Sequence, residues 1–209
     1  RVLAQIVYYF YAAYRIQKDL GTPLACDVSV PTGNFGDIFA GHIAARMGAP
    51  INRLILATNS NNILSRFVNA GDYSISSVRH SLSPSMDIQV ASNFERYLFE
   101  LYHRDAERLV QAMDEFRHSG RLCITEEDLR RVRGDFLAGS IDDRQTLETI
   151  RGFHQQTGYI LDPHTAVGVA VGRARRSSHP LLCLATAHPA KFPDAVEQAI
   201  GTPPPVPSA

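Results

Sequence analysis

Between Ser29 and Gly41 the chain reads SVPTGNFGDIFAG, and its residue types and spacing suit the binding of an anion. An apolar run ends, Gly33, Asn34, Phe35 and Gly36 follow, and Asp37 opens a helical pattern. A strand, a glycine turn and a helix start together aim backbone N–H groups and the positive end of a helix dipole at one point. Glycine also lets the main chain approach a bound group closely. No lysine follows Gly36, so the turn is not a nucleotide P-loop. Its Gly-x-x-Gly spacing is not the dinucleotide fingerprint either. The same residues equally describe a plain strand-to-helix turn capped by Asp37. A carboxylate there suits the helix end but repels an anion, so Asp37 is expected to cap and point away.

A second group lies in SPSMDIQVASNFER, where Ser83, Ser85, Ser92, Asn93 and Arg96 fall in a short window. Hydroxyls, an amide and a guanidinium fork suit a phosphate. They equally suit a serine-rich loop with Ser92 as an N-cap and Arg96 in a helical ion pair. Thr186 ends an apolar run and by itself reads as a strand terminus capping the PAKF helix. His164 and His188 each sit beside a proline at a helix start, where capping or packing is expected. No grouping of His, Cys and carboxylates has metal-ligand spacing, so no metal is expected. Lysine is scarce: Lys18 and Lys191 are the only two, and every other basic residue that balances the acidic ones is arginine.

The elements that must hold these groups follow from periodicity. Residues 1–20 read as a helix stopped by Gly21-Thr22-Pro23. CDVSVP, RLILAT and LLCLAT read as buried strands, and DIFAGHIAARMG and NILSRFVNAG as helices between them. Residues 72–87 read as a long polar loop. Helices follow near 93–103, 105–118, from Thr125 and over 142–157. DPHTAVGVAVGRARR then opens on an Asp N-cap and a first-turn proline. Strands alternating with helices predict an α/β parallel sheet flanked by helices. One catalytic region over residues 1–201 is expected, with a helical insertion at about 90–160. Residues 202–209 read as a disordered proline-rich tail.

The 209 residues carry 21 basic and 21 acidic side chains, which gives no electrostatic reason to bind nucleic acid or an anionic membrane. VLAQIVYYFYAAY is too short and tyrosine-rich for a membrane span. The three scattered cysteines suit a reducing, cytoplasmic setting. Arg1 falls inside a helical pattern, so the chain reads as the back part of a longer protein.

Four stretches in order, SVPTGNFGDIFAG, LSPSMDIQVASNFERYLFEL, ILDPHTAVGV and LATAHPAKFPDAV, resemble threonine synthase of the longer bacterial and fungal subgroup. The opening RVLAQIVYYFYAAY is also similar to that family's helix before the phosphate loop. The resemblance is weakest from about 105 to 155 and in the proline tail. It implies a fold-type II, pyridoxal-phosphate enzyme of the tryptophan-synthase-β type. Its reaction would convert O-phospho-L-homoserine and water to L-threonine and phosphate, the last step of threonine biosynthesis. On this resemblance Gly33, Asn34, Phe35, Gly36 and Asp37 would hold the pyridoxal 5′-phosphate, and Thr186 would face its ring nitrogen. Ser83, Ser85, Asn93 and Arg96 would receive the substrate.

The resemblance also exposes a departure. The family's Schiff-base lysine lies in a Ser-Phe-Lys-Asp type motif in the N-terminal half, and neither lysine here matches it. The residues present thus offer cofactor and substrate grip without a catalytic residue. The chain alone is expected to be inactive and to need the N-terminal half of the same protein. Two alternatives stay open: a non-catalytic phosphate- or cofactor-binding module, and a threonine-synthase-like phospho-lyase.

Overall fold

A computed structural model describes residues 1–206. In chain order it contains α1 (Val2–Leu20), β1 (Cys26–Pro31), α2 (Gly36–Arg46), β2 (Ile51–Thr58), α3 (Ile63–Ala70) and β3 (Tyr73–Ser74). Next come α4 (Phe94–Leu101), α5 (Ala106–Ser119), β4 (Arg121–Leu122), α6 (Glu126–Asp135), β5 (Phe136–Ser140) and α7 (Asp143–Thr157). The chain closes with α8 (Pro163–Arg175), β6 (Leu181–Cys183) and α9 (Pro193–Ile200). Short 3₁₀ turns occupy Pro84–Met86 and Pro189–Lys191.

Four strands form a wholly parallel sheet in the order β5-β2-β1-β6. Parallel strands need crossovers on the faces, so both faces are covered; β2 is apolar on both sides along its buried half, whereas β1 turns buried Asp27 and Ser29 to one face. Val28, Val30, Leu54 and Leu56 point into the main core with α1 to α4. Ile55 and Ala57 point the other way, onto Val167 and Val171 of α8. Approach on that face is close. A Cβ on Gly172 would lie 2.8 Å from the Ser29 Cβ, and one on Gly168 would lie 2.9 Å from Pro31 Cγ. Ser29 Oγ donates to the Gly168 carbonyl at 2.6 Å.

Caps mark several boundaries as the sequence predicts. Asp105 accepts from the Arg108 N–H, Thr125 from the Asp128 N–H, and Asp142 forms a capping box with Gln145. Two expectations need correction. The stretch from about 90 to 160 is not all helix, because Phe136–Ser140 pairs with β2 as an edge strand of the main sheet. The loop over 72–87 also contains β3, which pairs antiparallel with β4. Of the proline tail, residues 207–209 lie outside the described residues. Residues 202–206 form neither helix nor strand, and Pro204 is buried.

Candidate functional site

The strand order sets where a crevice can form. From β1 the chain crosses through α2 to β2 on one side, while β6 joins β1 on the other. The connections leaving the carboxyl ends of β1 and β6 therefore diverge, which is the topological switch point of an open parallel sheet. A crevice of about 650 Å³ opens there. Its walls include Gly33, Asn34, Gly36 and Asp37 after β1, and Leu184 to Ala187 after β6. Ser85 and Met86, Asn93 and Arg96, His164, and the start of α1 close the remaining sides.

The glycine turn is built by its neighbours. A Cβ on Gly33 would lie 2.6 Å from the Ser85 carbonyl oxygen, so only glycine lets the turn lie against the 84–86 segment. The Asn34 side-chain oxygen accepts from the Gly36 N–H at 3.0 Å. The Asn34 carbonyl accepts from both the backbone and side-chain N–H groups of Asn93, at 3.0 and 3.1 Å. Phe35 takes a left-handed φ of 66°. That conformation is strained for a bulky residue and needs compensation from its surroundings. Its ring supplies this, packing 5.2 Å from Phe94 and 5.6 Å from both Tyr97 and Phe136. The Phe35 side chain thus belongs to the core; only its backbone contributes to the turn.

Two helix starts at the crevice lack a side-chain cap. The N-cap residues Phe35 of α2 and Asn93 of α4 make none, although Asn34 Oδ1 takes the first N–H of α2, that of Gly36. Asp37 does not cap α2, contrary to expectation. Tyr9 of α1 holds it, its hydroxyl donating to the Asp37 carbonyl at 2.8 Å and to the carboxylate at 3.2 Å. Burial raises the Asp37 carboxyl above its ordinary value, against the lowering effects of Tyr9 and Arg1. Burial likewise pushes the Tyr9 hydroxyl well up, and Asp37 adds to the shift.

The Arg96 guanidinium makes no hydrogen bond or ion pair with the described residues, and only its backbone N–H is engaged, donating to the Asn93 carbonyl at 3.2 Å. Glu100, one turn along α4, instead pairs with Arg46 and Arg104. The Ser85 and Thr186 side chains are exposed to the crevice. Thr186 does not cap the following turn; His188 does, accepting from the Ala190 N–H. Ser83 is not brought to the crevice. It is buried, and its hydroxyl lies among Asn59 and Ser81 in a network that also holds Asp87. Lys18 and Lys191 are exposed and line no part of the crevice.

Sequence reasoning missed Asp162, His164 and Thr165 as parts of the site. Asp162, expected only as a helix cap, is indeed that, accepting from the N–H groups of His164 and Thr165. His164 is buried and reaches the crevice wall. The available signal was the side-chain order Asp-Pro-His-Thr: a capping carboxylate followed within one turn by two further donors.

The sequence is 49% identical to a Pseudomonas aeruginosa threonine synthase, over all of this chain and 44% of that protein. The structure superposes on a pyridoxal-phosphate-bound threonine synthase from Brucella melitensis with a TM-score of 0.94 at 50% identity, covering 100% of this chain and 44% of that one. The chain matches the C-terminal portion of threonine synthases. The family described as "Threonine synthase, C-terminal" matches residues 165–209. The chain thus spans less than half the length of the threonine synthases it matches. Maize serine racemase shares the fold alone, at 12% identity and a TM-score of 0.53, covering 88% of this chain and 50% of that one. The predicted parallel sheet with flanking helices is therefore that of fold-type II pyridoxal-phosphate enzymes. Among the described residues no helix is long and apolar enough to cross a membrane.

Proposed function

We propose that this chain is the cofactor- and substrate-gripping C-terminal part of a threonine synthase. The complete protein would convert O-phospho-L-homoserine and water to L-threonine and phosphate. The observation that carries this reading is the meeting of the Gly33–Gly36 turn, two helix starts without side-chain caps, and unpaired Arg96 in one crevice. N–H groups and helix dipoles favour an anion, and the missing Cβ of Gly33 lets the turn lie against the 84–86 segment that forms the crevice wall. These features fit the phosphate of pyridoxal 5′-phosphate.

Gly33, Asn34, Phe35 and Gly36 hold that phosphate through main-chain groups, with Asp37 kept aside by Tyr9. When bound, the cofactor supplies an electron sink for bond breaking at the substrate α-carbon. Thr186 offers its ring nitrogen a neutral hydroxyl, which stabilises positive charge less than a carboxylate does. Ser85, Asn93 and Arg96 receive the substrate phosphate; Ser83, held in its own network, does not. The proton transfers at the substrate carbons need a lysine near the cofactor aldehyde. Neither Lys18 nor Lys191 is placed for this, so the preceding half of the protein supplies it. The three free cysteines suit a reducing cytoplasm. One catalytic region spans residues 1–201 in this reading.

The test is Gly33→Asp in the complete protein, read by retention of pyridoxal 5′-phosphate through its visible absorbance. A new carboxylate and a clash with the Ser85 carbonyl should weaken retention strongly. Unchanged cofactor affinity would sink the assignment.

A further inference from the structure

A helix N-cap needs only a side-chain oxygen and the backbone donors of the first turn. Asp162 does more. Its Oδ1 accepts from the His164 and Thr165 N–H groups at 2.9 and 3.3 Å, and also lies 3.1 Å from His164 Nδ1. Its Oδ2 accepts from the Thr165 hydroxyl. All three residues are almost wholly buried. Each of the two side-chain donors then connects to a different loop. His164 Nε2 accepts the Ser85 N–H at 3.2 Å. Thr165 Oγ1 accepts the Thr186 N–H at 3.2 Å.

The donors fix the protonation pattern. A backbone N–H can only donate, so Nε2 must present its lone pair, and Nδ1 must carry the proton that faces Asp162. Phe192 packs 4.8 Å from the imidazole and holds it in place. Ser85 lies in the 3₁₀ turn and Thr186 in the loop after β6, and both line the crevice. The first bears directly on the glycine turn, since the Ser85 carbonyl occupies the space a Cβ on Gly33 would need.

We infer that His164 and Thr165 are positioning residues that set the width of the crevice. Asp162 holds one wall through His164 and Ser85 and the other through Thr165 and Thr186. The inference rests on the cofactor-binding reading above for its consequence, since a crevice of fixed width is what a rigid phosphate-bearing ring requires.

The experiment compares His164→Asn with His164→Gln, and Thr165→Val with Thr165→Ser, in the complete protein. Glutamine can place an acceptor where Nε2 lies, and serine keeps the hydroxyl; the other two variants lose the link to the wall. Amide hydrogen exchange at Ser85 should rise in His164→Asn and return towards wild type in His164→Gln. Exchange at Thr186 should follow the same pattern across the Thr165 pair. The dissociation constant for pyridoxal 5′-phosphate should rise roughly threefold to tenfold in the asparagine and valine variants, as expected for one lost hydrogen bond. Equal behaviour within both pairs overturns the inference, because simple packing would not distinguish the conservative partner. Should His164→Asn fail to fold, the threonine pair decides. Exchange needs no cofactor, so it decides the wall claim even if wild type and Gly33→Asp bind the cofactor equally. That last result would overturn the functional reading instead.

Discussion

Arg96 and Asp37 are charged side chains of opposite sign on the crevice wall, and they act on an anion there in opposite senses. Removing the guanidinium by Arg96→Ala should weaken competition by inorganic phosphate in the complete protein by roughly 1.5–3 kcal/mol, read as a higher inhibition constant. Fold stability should hardly change, because Arg96 is exposed and pairs with no described residue. Asp37 gives a pH signature. Its carboxyl is raised in the folded state, chiefly by burial, so folding favours the protonated form. The stability it contributes is fully present below the unfolded carboxylate value near pH ~4 and is lost as pH rises through the folded value. Asp37→Asn should therefore melt above wild type at pH 7, and the two curves should converge in acid. Asparagine keeps an oxygen for the Tyr9 hydroxyl, so the comparison isolates the charge. Much of this was legible in sequence: the glycines, Asn34 and Arg96 all reached the crevice. Ser83 did not, because residue type says nothing of which way a loop serine turns, and the neighbouring Asn59 claimed it. The capping role expected of Asp37 failed for a similar reason, since its partner Tyr9 lies far back along the chain.

Helix α8 is the element that joins sheet to site, and its contact with β1 depends on two missing side chains. Gly→Ala ordinarily favours an exposed helix by about 0.5–1 kcal/mol. Gly152 of α7 has open space around its Cβ position, and Gly152→Ala should show that gain in denaturant unfolding. Gly172→Ala should do the reverse, because the new methyl would meet the Ser29 Cβ at 2.8 Å across a packed interface. A net loss of about 1–3 kcal/mol is expected from overpacking. The main strands and helices were readable from apolar runs, caps and prolines. Strand β5 was not. Its sequence FLAGS is short, contains a glycine, and follows a polar helix directly, so pairing with β2 rather than local pattern makes it a strand. The two-residue strands β3 and β4 are too short to carry any period.

Across the whole molecule, α1 stands out for its outward apolar stripe. Leu3, Val7, Tyr11 and Tyr14 are exposed by 81%, 62%, 69% and 53%, and they follow one another at helical spacing. Exposed apolar surface of this kind drives association. The isolated chain should therefore sediment as concentration-dependent oligomers, and Val7→Lys should shift it toward monomer. Monomeric behaviour of the unsubstituted chain at high concentration would refute this. The place of this stripe is not legible in the apolar sequence of α1, because which face packs on α2 is decided by Tyr9 and its partners. The strand order has a consequence of a different kind, for timing. Strand β6 lies beside β1 although some 150 positions separate Asp27 from Ser177, whose N–H and hydroxyl close that edge at 2.6 and 2.8 Å. During synthesis β1, β2 and β5 can pair before β6 has left the ribosome, and the pairing of greatest sequence separation comes last. One whole side of the crevice hangs from that final strand. The site is thus absent from every partly folded form that lacks β6, so a ligand bound there acts as a latch on the finished fold alone.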